Sequence, residues 1–149
     1  MTHFEKIAEH LKDRALDAML VTSAPGEFYA MGFHGEGVAF ITPGRTWYYT
    51  DSRYIEAAQN LITGAEVSMP PKGMDYRKLA AQLVQDNRVS KLGFEEQYMS
   101  VADYNQWTKA VEAEFVPASE LLTQLRMVKD ADELAAMKEA QRITDEALL

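Results

Sequence analysis

The sequence predicts an α/β fold, a mixed β-sheet flanked by helices. Short β-branched and aromatic runs alternate with segments whose apolar residues recur at helical spacing, the pattern of a layered α/β domain. Two of those runs, "VAFIT" (38–42) and "TWYYT" (46–50), flank Pro43-Gly44 and read as an antiparallel hairpin, which makes the sheet mixed. A chain of 149 residues is the right length for one domain of this kind.

Each element has its own signal. Thr2 and Glu5 form a capping box ahead of Phe4, Ile7, Ala8 and Leu11, so the first helix is predicted to run to about Ala15. Ala18 to Val21 is a buried strand, broken by "SAPGE", and residues 27–33 hold a short helix before Gly32, Gly35 and Gly37. After the hairpin, Tyr54, Ala57, Ala58 and Leu61 mark one helical face, with Asp51 as its N-cap. Val67 to Met69 is a strand ended by Pro70-Pro71, and Tyr76, Leu79, Ala80 and Leu83 mark the next helix. "KLGFE" (91–95) is a strand. Ser100 and Asp103 cap a helix with Val101, Tyr104, Thr108 and Val111 on one side, and "EFVP" (114–117) is the last strand. Asp130 and Glu133 cap a long helix through Leu134, Met137, Ala140, Ile143 and Ala147. That helix reaches "EALL" without Gly, Asn or Pro, so the chain is expected to stop inside or just after a helix of something larger. An ordinary C-terminal helix docked on the domain is the alternative.

Composition narrows the function. Fifteen basic residues against 23 acidic ones give a net charge of −8, which disfavours nucleic acid and anionic membrane as partners. No apolar run is long enough to cross a bilayer, and the amino terminus lacks the apolar centre of a signal peptide. With no cysteine there is no disulfide framework and no thiolate zinc site, and a cytoplasmic protein is the simplest reading.

Candidate chemistry is sparse. His3, His10 and His34 show no metal-binding spacing, and His3 and His10 read as solvated positions of the first helix. "GFHGEGVAF" (32–40) lacks the Gly-Lys-Ser/Thr of a phosphate loop, which leaves either a connector or a loop presenting His34 and Glu36 to a ligand or partner. No G-x-S-x-G elbow occurs, and the serines sit at turns and helix starts. Asp51-Ser52-Arg53-Tyr54 puts an acid, a hydroxyl, a guanidinium and a phenol in a row, yet its placement favours a strand-to-helix joint. Arg53 is free to pair with a carboxylate or to reach another domain.

"LDAMLVTSAPGEFYAMGFHGEG" (16–37), "YYTDSRYIEAA" (49–59), "KLGFE" (91–95) and "LRMVKDADELAAMKEAQRITDEAL" (125–148) occur in an order that resembles the Xaa-Pro peptidases. These are the prolidase, aminopeptidase P and creatinase group of pita-bread metallopeptidases. The resemblance implies a creatinase/prolidase N-terminal domain, ribonuclease-H-like in arrangement, over residues 1–125. It implies a linker and the first helix of a pita-bread catalytic domain over 126–149. It also implies that catalytic and metal-binding residues are absent from this chain, since two divalent ions (Mn, Co or Zn) belong to the following domain. The implied role is non-catalytic: helping to form a homodimer and shaping access for short proline-containing peptides. His34, Glu36 and Arg53 are the substrate-access candidates. Glu27 departs from the family's P-x-N-x-x-Y segment, which leaves dipeptidase, aminopeptidase and creatinase-like membership open. A stand-alone binding or regulatory module with the same fold is the rival reading.

Overall fold

The computed structural model describes residues 1–148. Helix α1 (His3–His10) begins at the predicted capping box, with both reciprocal Thr2–Glu5 bonds made. It ends sooner than its periodicity suggests, because one tighter turn over Lys12–Arg14 follows and Ala15 enters the left-handed region at φ 53°. That turn redirects the chain into β1 (Ala18–Val21). Ser23 caps α2 (Ala24–Met31), with Pro25 in the first turn and Gly32 ending the helix at φ 65°. "SAPGE" therefore starts a helix; Ser at the cap followed by Pro is a start signal as much as a break.

The hairpin β2 (Val38–Ile41) and β3 (Thr46–Tyr49) forms as predicted. Then follow α3 (Ile55–Leu61), β4 (Glu66–Ser68), α4 (Tyr76–Asp86), β5 (Lys91–Phe94), α5 (Val101–Ala110), β6 (Glu114–Pro117), α6 (Ser119–Met127) and α7 (Ala131–Leu148). Among the described residues the strands make one six-stranded sheet in the order β4-β3-β2-β1-β5-β6. Both neighbours of β2 pair with it antiparallel, while the remaining pairings are parallel, so β2 alone runs against the other five.

Alternation along the strands builds a core on each face. Met19, Val21, Ala39, Ile41 and Tyr48 pack with Phe4, Ile7, Tyr29, Ala58 and Leu122 on one side. Ala18, Leu20, Val38, Phe40 and Trp47 pack with Leu83, Val84, Trp107 and Val111 on the other. Each such apolar side chain contributes about 1.5–3 kcal/mol by leaving water. The result is a three-layer domain in which the carboxyl ends of β1, β3 and β5 share one edge.

Two predicted helical faces are corrected. In α3, Ala57 and Leu61 are exposed while Ala58 and Ile62 are buried, because the helix starts at Ile55 and its face is rotated from the predicted one. In α5, Val101 is exposed and Trp107 and Val111 carry the burial.

Candidate functional site

Carboxyl ends of parallel strands leave free backbone groups and diverging loops, which is where α/β sheets usually place their sites. Here that edge is held open by two buried carboxylates. Glu95, one residue past β5 and 1% exposed, accepts hydrogen bonds from Thr22 N–H and Ser23 N–H (both 2.9 Å) and from the Ser23 hydroxyl (2.6 Å). It thereby ties the end of β5 to the start of α2. Ser23 Oγ in turn accepts from Gly26 N–H at 2.9 Å, and a Cβ at Gly26 would lie 2.2 Å from Glu95 Oε1. Only glycine fits there.

Glu27, 3% exposed, uses Oε1 to accept from Gly37 N–H and from the Tyr48 hydroxyl, each at 2.6 Å. Burial, then the bond to Glu27 and its charge, push Tyr48 far above the usual phenol range, so it remains a donor. These contacts give the loop 32–37 its shape. The Thr50 hydroxyl adds a bond to the Gly35 carbonyl at 2.5 Å, and a Cβ at Gly37 would meet the Tyr49 carbonyl oxygen at 2.4 Å.

The loop brings the sequence candidates together. Arg53 Nη2 reaches Glu36 Oε2 and Asp51 Oδ2, each at 2.6 Å, and its guanidinium lies 5.0 Å from the Tyr54 ring centroid. These partners raise Arg53 above the already high guanidinium range, and Arg53 holds the Asp51 carboxyl below its ordinary value. Glu36 sits at φ 49°, a left-handed conformation that costs a non-glycine residue about 1–2 kcal/mol. His34 is exposed and stacks on Phe28, centroids 4.1 Å apart. His34, Glu36, Glu27, Thr22, Tyr54 and Tyr76 line a cleft of about 550 Å³.

Two sequence expectations change. Asp51 is not the N-cap of α3: its side chain accepts from Arg53 N–H at 2.9 Å, closing a turn over 52–54, and Tyr54 is the residue at the helix start. His3 is not a solvated helix position. It stacks on Tyr29 at 4.3 Å, Nδ1–H donates to the Tyr29 carbonyl at 2.7 Å, and Nε2 lies 3.1 Å from Asp130 and 3.7 Å from Glu133. His10 is exposed and, among the described residues, is bonded only to its own helix. Glu95, Glu27, Tyr48 and Tyr76 were absent from the sequence-derived candidates. The sequence reads "SAPGE" only as a break, and Glu95 lies 72 residues from Ser23.

Comparison with known proteins places this geometry. Residues 4–128 match the model of the creatinase/prolidase N-terminal domain. The chain is 31% identical over 145 residues to an uncharacterized peptidase, YqhT, of Bacillus subtilis, covering 96% of this chain and 40% of that protein. It superposes on a Xaa-Pro dipeptidase from Bacillus anthracis with a TM-score of 0.89 at 30% identity, covering 98% of this chain and 41% of that one. It also superposes on the N-terminal domain of the cytoplasmic peptidase PepQ from Mycobacterium tuberculosis, with a TM-score of 0.71 at 25% identity, over 83% of this chain and 97% of that one. The chain thus spans about two-fifths of the length of the Bacillus relatives.

Proposed function

The chain belongs to the creatinase/prolidase N-terminal domain family, and from that premise we propose that it is the non-catalytic N-terminal part of a cytoplasmic, metal-dependent Xaa-Pro dipeptidase or aminopeptidase. What carries the reading is near-complete superposition of the chain on two-fifths of a Xaa-Pro dipeptidase. Cleavage of X-Pro bonds belongs to the remaining three-fifths. Residues 1–125 form the domain, and 126–149 form the linker and first helix of the next one. In support, the family match stops at residue 128, and the match to an isolated N-terminal domain covers less of this chain than the match to the dipeptidase. The α6 helix runs on to Met127 and α7 starts at Ala131, which leaves 128–130 as the non-helical joint within the proposed linker.

Two divalent ions, Mn, Co or Zn, would supply the hydroxide that attacks the peptide bond. The residues of this chain do not fit such a pair. Among the described residues, one group of three metal-capable side chains occurs: His3, Asp130 and Glu133, within 4.8 Å of one another. Asp130 and Glu133 each commit one oxygen to a reciprocal cap on α7, and Lys6 Nζ lies 3.7 Å from Asp130. Three ligands beside an ammonium group cannot hold two dications, so the ions are assigned to the following domain.

The role of this chain is to build a homodimer of the longer protein and to narrow access for short proline-containing peptides through His34, Glu36 and Arg53. Glu36 is bonded to Arg53 and lines the same cleft as His34, and it is held there against its backbone preference. The test is kinetic. In the longer polypeptide, the His34→Ala and Glu36→Ala pair is expected to lower kcat/KM for an X-Pro dipeptide about tenfold, roughly 1.4 kcal/mol of transition-state stabilisation. An unchanged kcat/KM removes the access role. The 149-residue chain alone, given Mn²⁺ and the same dipeptide, should release no proline, and turnover there would overturn the non-catalytic assignment.

A further inference from the structure

Glu27 has one oxygen that the loop does not use. Oε1 takes both the Gly37 and Tyr48 bonds, and among the described residues no hydrogen bond reaches Oε2. Arg77 Nε is the one side-chain nitrogen or oxygen, among the described residues, that is sealed from solvent without a partner, so Glu27 Oε2 opens onto the cleft that Glu27 lines. Glu27 is 3% exposed, so this oxygen is a fixed acceptor, held by the Oε1 bonds, that a donor entering the cleft can reach.

The surroundings choose the sign and the kind of ligand. Tyr76 lies where burial and the carboxylates of Asp51, Glu27 and Glu36 raise its hydroxyl above the usual range, with Arg53 alone opposing them. Two carboxylates, Glu27 and Glu36, line the cleft, and the guanidinium beside it, Arg53, is already bonded to Glu36 and Asp51. That balance disfavours an anion. A hard dication such as Ca²⁺ or Mg²⁺ wants six or more oxygens, and Glu27 offers one free carboxylate oxygen. An ammonium group on a small organic molecule fits better, because it needs few acceptors and gains from aromatic walls, here Tyr54 and Tyr76.

We propose that this cleft binds a protonated amine, the free amino terminus of a short peptide, with Glu27 Oε2 as its principal acceptor. The peptide as ligand rests on the Xaa-Pro peptidase reading; the demand for an ammonium group rests on the cleft alone. Neither His34 nor the Arg53 ion pairs are needed for it.

Nuclear magnetic resonance titration of the 149-residue chain tests this directly. Ala-Pro is expected to shift the amide signals of Gly37 and Tyr54 with a millimolar Kd, and N-acetyl-Ala-Pro to bind at least about tenfold more weakly. Glu27→Gln keeps an acceptor for Gly37 and Tyr48 but replaces Oε2 with a donor, and should weaken Ala-Pro about tenfold or more. Tyr76→Leu leaves Glu27 in place and should weaken it severalfold, which keeps the test open if Glu27→Gln does not fold. The proposal falls if the acetylated peptide binds equally well, if KCl reproduces the shifts, if neither variant changes the affinity, or if Ala-Pro gives no shifts at about 20 mM. Should Ala-Pro fail to bind this chain while the longer polypeptide cleaves it, the ammonium site is lost and the peptidase reading stands.

Discussion

Glu27 and Glu95 stand beside Glu36 and Asp51 at the same edge of one sheet, yet the two pairs do different physical work. The buried pair meets backbone N–H groups and hydroxyls that are fixed by the fold, and fixes them in return. The exposed pair shares one guanidinium in water, where screening leaves little net stabilisation. All four are carboxylates. Desolvation ties the buried pair into the fold, with Glu27 keeping one oxygen toward the cleft, and leaves the other pair to a solvent-screened guanidinium.

Removing a buried member should break the contrast most visibly. Glu95→Ala strands three donors at the β1–α2 junction and is expected to cost about 3 kcal/mol or more, a fall in Tm of roughly 6–12 °C by calorimetry. A loss too small to measure would put Glu95 with the exposed carboxylates. Glu96 sharpens the contrast because it is intermediate: half-buried, accepting from Ser119 N–H at 2.9 Å. Burial pushes its carboxyl up, but the bonds from the Ser119 backbone and hydroxyl outweigh this, and the net value lies below the ordinary 4.5. The folded state therefore holds its proton less tightly than the unfolded one. The contribution is complete above pH 4.5 and is lost as pH falls through the depressed value. Thermal melts of wild type and Glu96→Gln should differ at neutral pH and converge in acid; divergence on acidification would refute the assignment. Smallest of all, Arg53→Ala should leave Tm unchanged within error, since the ion pairs it removes are exposed. A clear fall in Tm would mean that the loop 32–37 depends on that guanidinium after all.

What the sequence makes legible is whatever local chemistry decides. The Thr2–Glu5 and Asp130–Glu133 caps, the Ser100–Asp103 cap and the Pro43-Gly44 hairpin each use partners within a few residues, and each forms. The α/β class follows from them. Hidden are the features whose partners lie far along the chain. Glu95 is silent until β5 is laid beside β1, and His3 gains its role only when Asp130, 127 residues away, arrives beside it. The α6 helix escapes notice for the same reason: its first N–H, on Ser119, looks to Glu96 rather than to a local cap, and its buried residues include the adjacent pair Leu121 and Leu122. His34, Glu36 and Arg53 were visible as reactive types on loops. That Glu36 and Arg53 touch was not, because it depends on the register of β2 on β3.

The α7 helix has no buried residue among those described, and its root is gripped by His3, Lys6 and its own cap. Mechanically it is a cantilever. Its 18 residues make a beam about 27 Å long, so a tilt of about 10° at the clamp would carry the far end about 5 Å sideways. Stiffness at His3 thus governs position at Leu148. A substitution at the clamp would be felt least where it is made and most at the distant tip, as an error of aim.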